Sequence, residues 1–227
     1  MAQLMAHCMG VKFGLGISLV NHSKVTTMKK QALAAIAFAG ATLFSTNTFA
    51  QANDGPWMVR VRAVNLQSSN SDSTGLGLSI NDKVIPEFDV SYFFTPNIAA
   101  ELILTVPQQH DLSSSVLGGK IGTITHLPPT LLAQYHFDAS GFKPYVGAGI
   151  NYTDFTSVDL PAGVDIKRSS FGGALQVGVD IPLSGNMYLN FDVKKVYLGT
   201  EVSVNGVDKG AFNVDPLLVG VGIGWRF

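Results

Sequence analysis

The sequence predicts an all-β protein, an eight-stranded antiparallel up-and-down transmembrane β-barrel. Three observations predict it. Eight segments, each about 9–12 residues, alternate with period two, the length of a tilted membrane-crossing strand. The connections between them alternate short and long, as in outer-membrane barrels. No run of 18 or more apolar residues follows residue 50. A mature chain in a membrane must then be a closed barrel, because only helices and closed barrels satisfy their backbone groups in lipid.

The segments follow in order. Trp57, Val59, Val61 and Ala63 alternate with Met58, Arg60, Arg62 and Val64. Phe88, Val90, Tyr92 and Phe94 alternate with Glu87, Asp89, Ser91 and Phe93. Ile98, Ala100, Leu102, Leu104 and Val106 oppose Ala99, Glu101, Ile103 and Thr105. Leu131, Ala133, Tyr135 and Phe137 oppose Thr130, Leu132, Gln134 and His136. Val146, Ala148, Ile150 and Tyr152 oppose Tyr145, Gly147, Gly149 and Asn151. Phe171, Leu175, Val177, Val179 and Ile181 oppose Gly172, Ala174, Gln176, Gly178 and Asp180. Met187, Leu189, Phe191 and Val193 oppose Tyr188, Asn190, Asp192 and Lys194. The last segment sets Leu217, Val219, Val221, Ile223, Trp225 and Phe227 against Leu218, three glycines and Arg226.

Short turns at 95–97, 138–142 and 182–186 are rich in Pro, Gly, Asn and Asp. Long polar stretches at 68–83, 109–126, 154–169 and 200–213 are expected as extracellular loops. The Ser/Asn/Gly-rich 68–83 reads as a mobile recognition loop. One parity is apolar, with aromatics near the strand ends that suit the two membrane interfaces. The other carries the charges. A cation facing lipid at the midplane costs about 2–4 kcal/mol, so that parity faces the lumen. Lys195 breaks the pattern and is expected to snorkel to headgroups or to mark a bulge.

Before this lies a different kind of sequence. Residues 28–50 begin Met-Lys-Lys, run apolar from Ala32 to Phe44 and end Thr48-Phe49-Ala50. That is the pattern of a cleaved Sec signal peptide. Residues 1–27 read as an over-extended start, leaving 51–227 as the barrel domain. This domain has no cysteine, which excludes disulfide and thiolate chemistry, and it holds 16 acids and 11 of the 15 bases. A formal charge of −5 argues against nucleic acid as a partner.

Several runs resemble a known family. ELILTVPQQH (101–110), THLPPTLLAQYHF (125–137), KPYVGAGINYT (143–153), ALQVGVDIPL (174–183) and the GWRF ending are similar to the outer membrane protein W family. The resemblance implies an eight-stranded barrel of the Gram-negative outer membrane. It implies passive uptake of small, mainly hydrophobic molecules across the lipopolysaccharide layer. It also implies an alternative role as a surface receptor for phage or bacteriocin, or as a structural barrel in stress adaptation. The terminal Trp225 and Phe227 resemble the signal read by the barrel assembly machinery. The family's hydrophobic constriction would fall near Phe88 and Phe171, although their parity points outward.

The candidate channel-lining residues are Arg60, Arg62, Glu87, Asp89, Glu101, Ile103, Leu132, Gln134, His136, Asn151, Gln176, Asp180, Asn190, Asp192, Lys194 and Arg226. An eight-stranded interior holds side chains or one small ligand, not a wide pore. The inward acids and bases are therefore expected as an ion-pair plug, with a gated polar path as the alternative. Pro107, Pro128 and Pro129 sit at the extracellular end of one hairpin. Proline cannot donate to a ladder, so they mark a candidate lateral exit or the simple end of two strands. His110, Asp111, His126 and Ser113–Ser115 are the residues from which a rim enzyme or metal site would have to be built. Their spacing carries neither pattern, so no enzyme, cofactor or metal is expected.

Overall fold

The computed structural model describes residues 55–227. The expected leader at 28–50 and the expected over-extended start at 1–27 therefore lie outside the described residues. Fifteen strands follow: β1 (Trp57–Gln67), β2 (Ser71–Asp72), β3 (Leu78–Ile80), β4 (Lys83–Phe93), β5 (Ile98–Thr105), β6 (Gln108–Ser114), β7 (Gly119–Leu127), β8 (Thr130–His136), β9 (Lys143–Asp159), β10 (Val164–Ile166), β11 (Ser169–Pro182), β12 (Met187–Val196), β13 (Gly199–Val204), β14 (Val207–Asn213) and β15 (Leu217–Arg226). Among the described residues, no helix is long and apolar enough to cross a membrane.

Eight of the strands close on themselves in the order β1-β4-β5-β8-β9-β11-β12-β15. All these pairings are antiparallel, and β15 returns to β1 with Trp225 opposite Val59. Closure leaves no free edge in lipid. These are the eight expected segments, in the expected register of faces. Val61, Leu102, Leu131, Ile150, Val177 and Val221 are exposed on the outside. Arg60, Arg62, Glu87, Glu101, Gln176 and Lys194 are buried inside. The final strand also answers for the aromatic ending. Phe227 donates its amide to Trp57 O at 2.8 Å and its ring is exposed at the periplasmic rim. A girdle stands beside it: Trp57 packs edge-on against Tyr92, Tyr92 against Phe94, and Tyr135 against Phe137.

The long stretches are not open loops. Strands β9 and β11 continue past the barrel, and β9 passes from β8 to β7, which carries β6 and β3. A second sheet has the order β10-β13-β14-β2. Leu78, Leu112, Ile124, Ile166, Val202 and Phe212 from the two sheets form one buried core. Each strand contributes only one or two such residues, set among Ser, Gly and Asp, so the alternation is too short to stand out in the sequence. The 68–83 segment is thus tied down. Asn70 brackets Ile80, accepting from its amide at 2.9 Å and donating to its carbonyl at 3.1 Å, which covers the outer edge of β3. Asp72 accepts from the amides of Gly77 and Leu78.

Lys195 marks no bulge. The β11–β12 register runs through it unbroken, opposite Leu175. Its ammonium donates to Ser69 Oγ and to the carbonyl of Asp215.

Candidate functional site

The lumen has three layers, set by which residue each strand turns inward at each height. The periplasmic floor is apolar and aromatic, with Met58, Phe93, Ala99 and Tyr188 in one cluster. His136 lies between the rings of Phe93 and Tyr145. Arg226, expected in the ionic lining, belongs to this floor instead. Its guanidinium lies 3.7 Å over the Phe93 ring and Nε donates to Gly55 O.

The middle layer is a plug. Arg60 donates through Nε and Nη2 to both oxygens of Asp180 (3.1 and 2.7 Å) and through Nη1 to Asp89 and Ser91. Arg62 donates to Glu87 (2.8 Å), Glu101 (3.0 Å) and Asn190 (2.7 Å). Lys194 donates to Glu87 and Asp192. Five carboxylates meet three cations, and neutral donors supply the difference. Tyr145 donates to Asp192, and Gln176 donates to both Glu101 and Asp192. Gln134 ties Gln176 to His136, and Asn190 reaches Asp180. All three cations are 2 % exposed or less. Small residues make the space. A Cβ on Gly178 would sit 2.4 Å from the Tyr145 ring, and one on Gly224 would sit 3.0 Å from Arg60 Cγ. So the polar parity forms a closed ion-pair network, the expected plug, across the middle of the barrel only.

The upper layer is apolar. Leu66, Ile85, Ile103, Val196, Leu198, Val214, Leu218, Pro128 and Pro216 surround a cavity of about 30 Å³. Its polar margin includes Glu87, Lys194, Thr105, His126, Thr130 and Asn151. The inward parity is therefore not polar along its whole length: at the extracellular end its residues are Val64, Leu66, Ile85, Ile103 and Leu218. Leu132 joins the same buried apolar cluster, which continues upward into the extracellular core. The constriction does not involve Phe88 or Phe171. Both are exposed on the outside, 46 % and 71 %.

Beside this chamber the wall is interrupted. The β5–β8 ladder ends at Ile103 opposite Thr130, and pairing resumes only at Gln108 opposite His126 on β6 and β7. Pro107, Pro128 and Pro129 all lie within the break. Side chains meet the carbonyls at the break, and Tyr152 N also donates to Pro129 O at 3.1 Å. Gln108 Nε2 donates to Val106 O at 2.8 Å. Asn151 Nδ2 lies 3.3 Å from each of Pro128 O and Pro129 O and 2.8 Å from Thr130 Oγ1. Asn151 thus holds the β8 side of the break from within, a role no sequence pattern signals because its partners belong to a neighbouring strand.

His110 and His126 do not sit on an open rim. Their rings stack inside the extracellular sheet, centroids 5.0 Å apart and 8° from parallel. His110 Nδ1 faces Asn81 O at 3.0 Å. Asp111 pairs instead with Lys120, and Ser114 donates to Leu76 O. Burial first, then His110 and Lys83, push His126 down to about 3. Burial also lowers His110, against the opposing pull of Asn81 O and of Asp111 and Asp82. An imidazole freed into water titrates near 6.5. The folded pKa being lower, the opened form binds more protons below that pH, so closure weakens as pH falls from about 6.5 towards 3. Opening of β6–β7 is expected to rise about tenfold per pH unit from His126 across that window, with His110 adding in the same direction. Hydrogen exchange of the β6 and β7 amides, corrected for intrinsic rates, measures it. His126→Phe should remove much of the dependence.

A closed eight-stranded barrel with an apolar outer belt, aromatic girdle and sealed charged centre defines an integral outer-membrane barrel protein. The OmpW family profile matches residues 53–227, and the chain belongs to that family. It is 43 % identical over 184 residues to an uncharacterized outer-membrane protein, y4mB, of Sinorhizobium fredii, covering 76 % of this chain and 80 % of that one. It is 34 % identical to Outer membrane protein W of Escherichia coli, covering 88 % of this chain and all of that one. The dibenzothiophene metabolism operon protein PahQ of Pseudomonas aeruginosa is 28 % identical over 78 % of this chain and 90 % of its own length. Among solved structures, OprG from Pseudomonas aeruginosa aligns with a TM-score of 0.67 at 28 % identity, over 79 % of this chain and 99 % of that one. The protein is an outer-membrane barrel of a Gram-negative bacterium.

Proposed function

We propose that the protein is a passive, non-catalytic channel for small hydrophobic molecules, which enter from the extracellular side and leave sideways through the barrel wall. One observation carries this reading: a continuous apolar interior ends on a sealed ionic plug, directly beside a break in the β5–β8 ladder. An apolar solute gains nothing by entering the plug, where it would displace charge-assisted hydrogen bonds. The break leads instead to hydrocarbon. The chamber of about 30 Å³ holds one or two waters, so passage needs the break or the extracellular sheets to widen. The name of the PahQ relative, an operon protein of dibenzothiophene metabolism, agrees with an apolar aromatic cargo.

A second reading, a surface receptor or structural barrel that transports nothing, draws on the same closure and on the ordered extracellular sheets. Uptake separates the two. Replacing Pro107, Pro128 and Pro129 by Thr, Val and Thr should let the ladder extend and lower protein-dependent uptake of hydrophobic probes about tenfold or more. Folding is checked first by heat-modifiable migration on a gel. Uptake that depends on the protein but ignores the prolines rules out the lateral exit. Uptake that never depends on the protein rules out the channel.

A further inference from the structure

The chamber is not purely apolar, and its polar atoms are unevenly served. Glu87 and Lys194 at its base bond to each other, and Asp192 and Arg62 complete the pair's partners. Thr130 and Asn151 serve each other and the proline carbonyls. Two wall atoms have no hydrogen-bond partner although both are buried: Thr105 Oγ1 and His126 Nδ1. Both residues line the chamber beside the ladder break. An unserved buried polar atom costs about 1–3 kcal/mol, so such a pair in the wall of a binding space points to a ligand group that serves it.

The chemistry of that group follows from its surroundings. A threonine hydroxyl donates or accepts, and a neutral imidazole nitrogen does one or the other according to its tautomer. A hydroxyl on the ligand both donates and accepts, so it fits either combination. An ionised head finds no counter-charge, because the chamber's own acid and cation are already paired to each other. A pure hydrocarbon leaves both atoms unserved. We infer that the chamber, once widened as passage requires, takes a neutral, hydroxyl-bearing hydrophobic molecule, a phenol or alcohol with a compact apolar body, held by Thr105 and His126 on its way to the break. This rests on the channel reading above and names its preferred cargo class.

The test is competitive uptake of naphthalene, 1-naphthol and 1-naphthoate into cells with and without the protein. The expected result is a 1-naphthol to naphthalene uptake ratio about five- to tenfold higher with the protein, and little naphthoate. Thr105→Val, a near-isosteric change, and His126→Phe should each lower that ratio about fivefold, and Thr105→Ser should keep it. If His126→Phe fails to fold, the Thr105 pair carries the test. Protein-dependent uptake of all three probes with no preference, or a ratio that Thr105→Val leaves unchanged, overturns the inference and leaves the channel standing. Uptake of none of the three that depends on the protein overturns both.

Discussion

Arg60→Met is expected to destabilise the barrel by about 3–5 kcal/mol, the cost of breaking a buried charge network by removing one partner. Arg60 alone holds both oxygens of Asp180 and also reaches Asp89, Ser91 and Glu101, at zero exposure. Methionine fills similar space but removes the guanidinium from Asp180, while Asn190 Nδ2 still donates to its Oδ1. Urea unfolding in detergent micelles, followed by heat-modifiable migration, measures the loss. Asp180→Asn alone should also destabilise. Combined with Arg60→Met it should cost less than the two single changes added together, since the uncompensated charge is then gone. The same double variant tests the seal. Loosening the plug should raise ion conductance of the purified barrel in planar bilayers above the wild-type level.

The second large effect concerns the opposite face. Val177 lies in the middle of β11, opposite Val146 on one side and Val193 on the other, and its side chain is exposed outward. Val177→Arg places a cation in the hydrocarbon and should cost about 2–4 kcal/mol. A soluble barrel of the same shape would tolerate it, because an exposed arginine in water costs almost nothing. Refolding into vesicles at increasing urea separates the cases. The measured cost should fall when the arginine is moved toward the rim, for instance to Phe94, where the side chain reaches water.

The eight barrel strands were legible because lipid demands an apolar face along the full length of each strand. Leu131, Ala133 and Tyr135, or Leu175, Val177 and Val179, therefore stand out against any background. The inward face obeys a different rule. It must fill space and satisfy charge, so it alternates in kind with height: Met58, then Arg60 and Arg62, then Val64 and Leu66 on β1 alone. Parity says that these residues share a face, but the layers appear only when register aligns eight strands. Arg226 shows the difference. Its parity matches the plug residues, yet its height puts it on Phe93 at the periplasmic floor. The extracellular sheets were hidden for another reason. Their core is assembled from one or two residues per strand, such as Leu112 on β6 and Ile124 on β7. The stacking of His110 on His126 needs the β6–β7 pairing, which no local pattern encodes.

The proline signal was local and strong, and the structure gives it a place: all three prolines fall where the β5–β8 ladder stops. Lateral release requires that break to be an exit. A reversible staple tests it on one folded protein. Continuing the register from Ile103 opposite Thr130 sets 104 opposite 129. Residues 51–227 contain no native cysteine to interfere. Leu104→Cys with Pro129→Cys should close the break when oxidised, and Ala100→Cys with Ala133→Cys, a pair inside the intact ladder, serves as the control. The predicted result is protein-dependent uptake of a hydrophobic probe that stops on oxidation of the first pair, returns on reduction, and is unaffected by oxidation of the second. Equal uptake by the stapled and reduced forms of the first pair would contradict lateral release.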